Sequence, residues 1–192
     1  MQLTRWRHPG LVRATALLCA AAGVCAHAAD ANRFEIRNAY VELAADAWQL
    51  DVRLDFGLSR AAREALDEGV PLTLRLEAEA STERRFLPDE TVASLTREWR
   101  LEHDAIADRY VVSDLATGEQ GSHATRDEAL AALAKISGLA LAASSRLPPD
   151  QRFEMRVRAS VEIGELPTAV KLLLFWRSWS RDTDWYVWSV RP

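Results

Sequence analysis

The densest group of side chains able to bind or react lies near the C-terminus. Trp176, Trp179, Trp185, Tyr186 and Trp188 fall within 13 residues, interleaved with Arg177, Arg181, Asp182 and Asp184. Such a mixture has three uses. Exposed Trp rings beside carboxylates can stack on the apolar C–H faces of sugars. Trp and Arg also carry much of the binding energy at protein interfaces. Alternatively, each ring buries a large apolar area in a core or over a sheet edge. Trp176, Trp179, Asp184, Trp185 and Trp188 therefore form the candidate interaction surface, with core filling as the competing reading.

Catalytic constellations are harder to find. The histidines are His8, His27, His103 and His123. The first two fall in an N-terminal segment expected to be removed. His103 and His123 sit on different predicted elements and lack a ligand spacing such as H-x-x-x-H. A Ser/His/Asp triad could be assembled from distant residues around either, but no local pattern favours one. The chain has no G-x-S-x-G elbow and no glycine-rich phosphate loop. Glu77 and Glu79 share one side of a predicted strand and read as a solvated face rather than an acid/base pair. The expectation is a non-enzyme with no cofactor and no metal site.

The N-terminus has the three parts of a secretory signal. Met1 to Arg13 is basic, Ala14 to Ala26 is uncharged and apolar, and Ala26-His27-Ala28 has the small-x-small form of a cleavage site. The apolar run is shorter than the roughly 20 residues that span a bilayer. Cleavage after Ala28 is expected, with a retained anchor as the alternative. Both cysteines, Cys19 and Cys25, precede that cut. The exported part would then hold no disulfide, thiolate metal site or Cys nucleophile. Val24 precedes Cys25, where a lipoprotein signal wants a small residue. These features predict a signal peptide over 1–28, a single β-rich domain over 29–192, and a periplasmic location.

Composition agrees with a folded exported domain. Apolar residues make up 48% of the chain and charged residues 27%, which excludes disorder by low hydrophobicity. Losing Arg5, Arg7 and Arg13 takes the formal charge from −4 to about −7. An acidic domain is a poor binder of nucleic acid and of anionic lipid.

The elements that must position these residues show mainly a period of two. Trp48 to Leu58, Val70 to Ala78 and Phe153 to Ile163 each alternate apolar with polar residues. In a strand, this gives one dry and one wet face, the pattern of antiparallel sheet. The phase shift from Phe34 and Ile36 to Ala39, Val41 and Leu43 predicts a bulge near Asn38. Val92 to His103 puts Leu95, Trp99 and Leu101 on one face, which Arg97 shares. Arg109 to Ser113 would return beside it, and Trp185 to Val190 would close the chain as a strand. Ala169 to Ser178 is a continuous apolar run, either a doubly buried strand or a buried helix.

Two helices are predicted. Ser59 can cap the first, which Gly69 ends. Thr125-Arg126-Asp127-Glu128 is a capping box for the second, whose stripe Ala129, Leu130, Leu133 and Ile136 runs to Gly138. The predicted fold is α+β, predominantly antiparallel β, as a sandwich with two short helices. One sheet backed by both helices is the alternative.

Several blocks stand in a fixed order: Ala39-Tyr40-Val41-Glu42-Leu43, Leu66-Asp67-Glu68-Gly69-Val70-Pro71-Leu72 and Asp127-Glu128-Ala129-Leu130-Ala131-Ala132-Leu133. The Leu166-Pro167 step and Asp184-Trp185-Tyr186-x-Trp188 follow. In these blocks and their spacing, over roughly residues 36–192, the chain resembles the DUF4390 family of exported proteobacterial proteins of unknown function. The chain departs from the family pattern at Thr82-Glu83-Arg84-Arg85-Phe86 and at Arg177-Ser178-Trp179. The resemblance implies an exported domain and supplies no catalytic residues. Genes of such proteins often lie beside a nitrogen-type sensor kinase, an association without physical warrant. Together these features predict a non-enzymatic protein-interaction module with an envelope partner, that kinase being one candidate. A periplasmic small-ligand or glycan binder using the Trp cluster is the alternative.

Overall fold

The computed structural model describes residues 33–82, 84, 89–163 and 180–191. The signal residues Ala26 and Ala28, the apolar run over 169–178, and Trp176 and Trp179 lie outside the described residues.

Two antiparallel sheets pack face to face. The smaller holds β1 (Phe34–Ala44), β2 (Ala47–Phe56) and β7 (Lys135–Ala143), in the order β1-β2-β7. The larger holds β3 (Leu72–Thr82), β4 (Glu90–Asp104), β5 (Arg109–Asp114), β6 (Gln120–His123), β8 (Phe153–Ile163) and β10 (Tyr186–Val190). Its order is β10-β8-β3-β4-β5-β6, and β9 (Ser180–Asp182) also pairs with β8. The fold is α+β and mostly antiparallel β, with two short helices, α1 (Arg60–Asp67) and α2 (Arg126–Leu133).

The alternating residues fill the space between the sheets. Leu50 and Val52 of β2 face Leu72, Leu74 and Leu76 of β3 and Met155 and Val157 of β8, all at most 1% exposed. Such burial is worth roughly 1.5–3 kcal/mol per side chain and is the main force holding the sheets together. Trp48 meets Phe153 edge-on, with centroids 5.2 Å apart. Its indole N–H, otherwise an orphan in the core, donates to the Leu147 carbonyl at 2.7 Å.

Capping signals act where predicted. The Ser59 hydroxyl accepts from Ala62 N–H at 3.2 Å, and Gly69 takes φ +85° just beyond α1. Thr125 Oγ1 accepts from Glu128 N–H at 3.2 Å, while the Glu128 carboxylate reaches back to Ala124 N–H at 3.0 Å. The bulge in β1 falls between Ile36 and Asn38, at Arg37.

The α2 boundary differs from expectation. The helix ends at Leu133, so Ile136 and Gly138 belong to β7. Gly138, with φ +69°, sits at an irregularity in the β2–β7 ladder rather than at a helix stop. Burial of Ile136, Leu139 and Leu141 against the core outweighs the helix preference of an Ala-rich segment. Arg97, on the inner face of β4, is held by Asp114 at 2.6 Å. Burial alone would push the Asp114 carboxyl up. Hydrogen bonds from Arg97 and from the Thr117 and Ala116 N–H groups outweigh it and hold the group below its usual range.

Candidate functional site

The aromatic C-terminus lies along one edge of β8. β9 and β10 pair with the same edge, Asp182 opposite Ser160 and Tyr186 opposite Val157. Thr183 bridges the gap between them. Its N–H donates to the Ala159 carbonyl at 2.8 Å, and its hydroxyl accepts from Ala159 N–H at 3.0 Å. Counting along the ladder, Asp184 and Trp185 together stand opposite Arg158, where regular pairing allows one residue. This bulge changes the phase. Before it the inward positions are Arg181 and Thr183; after it they are Tyr186, Trp188 and Val190.

The predicted surface is therefore split between two faces. Tyr186 and Trp188 are half-buried, tilted against each other at 5.6 Å, and pack on the core. Trp185 is half-buried on the solvent side of the sheet, and Asp184 is exposed. The Arg156 and Arg158 guanidinium carbons each lie 4.8 Å from the Trp185 ring centroid. This is cation–π range, favourable by about 0.5–1 kcal/mol at an exposed site. Val187, 50% exposed, is on the same side.

The two arginines belong to a charged lattice on that face. The register sets Glu77 opposite Arg158 and Glu79 opposite Arg156. Arg158 Nε donates to Glu77 at 2.5 Å, and Arg156 Nε to Glu79 at 2.8 Å. The Glu77 hydrogen bond raises the Arg158 pKa further above its ordinary value. Arg75 and Glu98 repeat the pattern one strand over, at 2.7 Å.

Beside Trp185, a cleft of about 360 Å³ opens toward β1. Its walls include the rings of Phe34, Trp185 and Tyr186 and the carboxylates of Glu35, Asp182 and Asp184.

A second polar cluster lies elsewhere, and sequence reasoning missed it. His103, Tyr110 and His123 are cross-strand neighbours on β4, β5 and β6, so both histidines fall in one row. Only strand register reveals this, and register is not written in any local motif. The His103 and Tyr110 rings stack at 4.6 Å. The Tyr110 hydroxyl donates to Asp67 Oδ1 at 2.8 Å. Arg126 Nη1 donates to both Asp67 oxygens, at 3.1 and 2.8 Å. His103 Nδ1 lies 3.2 Å from the Asp67 carbonyl, and Nε2 lies 3.4 Å from Asp108. Burial first, then the Asp67 hydrogen bond and charge, push the Tyr110 phenol up. Through Asp67, Arg126, Tyr110 and the stacked His103 ring, this cluster works as a tie between α1, α2, β4 and β5. No group of three or more His, Cys, Asp or Glu side chains placed to hold a metal occurs among the described residues. No described helix is long and apolar enough to cross a membrane.

Two antiparallel sheets, two capped helices and a bulged aromatic edge define a small α+β sandwich domain. The chain belongs to the DUF4390 family, described as a domain of unknown function, whose family model matches residues 31–189. No curated protein and no solved structure matches it.

Proposed function

We propose that this DUF4390 domain is a non-enzymatic interaction module of the cell envelope. In this reading it is exported by its N-terminal signal and docks a membrane-associated protein through the face around Trp185. The observation that carries the reading is the Trp185 ring clasped by Arg156 and Arg158 on the solvent side of a strand ladder. Trp and Arg dominate interface energetics, and here the β3–β8 ladder and the Glu77 and Glu79 contacts already hold both arginines in place, so they lose little ordering entropy on binding. A neighbouring sensor kinase is the first partner to test. Trp185→Ala should weaken capture of an envelope partner while far-UV circular dichroism stays unchanged. Recovery of no envelope protein under gentle cross-linking would contradict the proposal.

A second reading follows from the cleft beside Trp185. Three rings and three carboxylates around about 360 Å³ suit a sugar or another small polar ligand. Titration of tryptophan fluorescence with cell-wall fragments tests it. A flat response across a broad panel would end it.

A further inference from the structure

We propose that a second cleft, framed by the ends of β1 and β2 and by both helices, binds a small amphipathic anion. The ligand class is one carboxylate or phosphate head on an apolar body. The site lies on other elements than Trp185, so it stands or falls independently of the interaction reading.

Three arginines from three elements line this cleft of about 530 Å³, Arg37 of β1, Arg63 of α1 and Arg126 of α2, together with the carboxylates of Asp55 and Asp127. Their placement has local causes. Arg37 is the bulged residue of β1, and a bulge re-aims its side chain. Arg126 is pinned by Asp67, itself held by the Tyr110 hydroxyl. Arg63 lies on the same helix as the buried Ala62, Ala65 and Leu66 and is itself half-buried.

The charges are not equally satisfied. Asp55 neutralises Arg37 at 2.7 Å, and Asp67 neutralises Arg126 at 2.8 Å. Arg63 has no acidic partner among the described residues. With no ion pair claiming it, the Arg63 guanidinium is free to take a carboxylate or phosphate as a bidentate partner. Thr125 and Glu128 already cap the first turn of α2, so the arginine side chains must hold the head group. The floor sets the rest of the ligand. Phe56, Leu58, Leu130 and Ala134 offer an apolar bed, and the volume is that of ordinary small-molecule sites.

Two-dimensional ¹H–¹⁵N spectra of the purified full-length protein, titrated with octanoate or with octyl phosphate, test this. Expected are saturable shifts at Gly57, Leu58, Ala131 and Ala134, and the tighter probe identifies the head group. Arg63→Gln should weaken binding about tenfold or more, the loss of one charge-assisted bidentate contact. Arg60→Gln, one turn away on the same helix and paired with Glu64, should leave affinity within about twofold. Ala131→Phe, at an exposed position of α2, should fill the cleft and abolish binding without disturbing the core. The proposal is overturned if neither probe gives saturable shifts up to about 10 mM, a generous limit for a specific site. It is equally overturned if Arg63→Gln and Arg60→Gln bind alike, or if the shifts gather at Trp185.

Discussion

Arginine, carboxylate and aromatic ring meet twice in this molecule, to opposite effect. At Asp67 they join parts of the chain that no backbone ladder joins. Arg126 lies 59 residues from Asp67 and Tyr110 lies 43, and the contacts fasten two helices to the β4–β5 hairpin. Around Trp185 the charged groups decorate strands already paired along their length, since Glu77–Arg158 and Glu79–Arg156 are ladder neighbours. Exposure does not separate the two regions. The Asp67 and Arg126 side chains are 45% and 26% exposed, and Glu79 and Arg156 are 29% and 46% exposed. What separates them is whether anything else would hold the partners together. A contact that carries the fold is costly to lose, whereas one resting on an existing ladder is free to serve a partner.

Substitutions sharpen this contrast. The largest effect is expected at Asp67. Asp67→Ala removes the acceptor of both Arg126 and Tyr110 and should destabilise the fold by about 2 kcal/mol in urea titrations, below the value of a fully buried pair. A cost as small as that of a surface substitution would dissolve the distinction between the regions.

Next is Tyr110→Phe, expected to cost about 1 kcal/mol near neutral pH through the lost hydrogen bond. It also carries a signature in pH. The folded phenol is raised above its unfolded value, so its contribution is complete below about pH 10 and is lost as pH rises through the folded pKa. The native protein should therefore lose stability in alkali more steeply than Tyr110→Phe. Parallel urea midpoints above about pH 10 would show that the phenol is not tied to Asp67.

The smallest stability effects belong to the lattice face. Arg156→Gln and Trp185→Ala should each change unfolding free energy by less than about 1 kcal/mol, as expected for exposed ion pairs and cation–π contacts. Should Trp185→Ala instead unfold the domain, the ring would be a structural element of the edge.

Much of the architecture was legible because alternation reports which face is dry. Phe153 to Ile163 read correctly as an amphipathic strand, Trp48 to Leu58 did so as far as Phe56, where β2 ends, and the caps at Ser59 and Thr125 announced both helices. Alternation does not report neighbours. The order β10-β8-β3-β4-β5-β6, and with it the row His103, Tyr110, His123, depends on long-range pairing. β7 was hidden because Leu139-Ala140-Leu141-Ala142-Ala143 continues a helix-favouring composition, and only pairing with β2 makes it a strand. The aromatic cluster was visible as composition. Its division between Trp185 outside and Trp188 inside follows from strand alternation and from a bulge at Asp184 that no residue type there signals.

Site-specific photo-cross-linking from position 187 puts the docking face to the most direct test. That side chain lies in solvent beside Trp185, so a probe there leaves the ring and its arginines in place. A single envelope-protein adduct in cells, lost when Trp185→Ala is added, is the predicted result. Absence of any adduct, or one that persists in Trp185→Ala, would contradict the account.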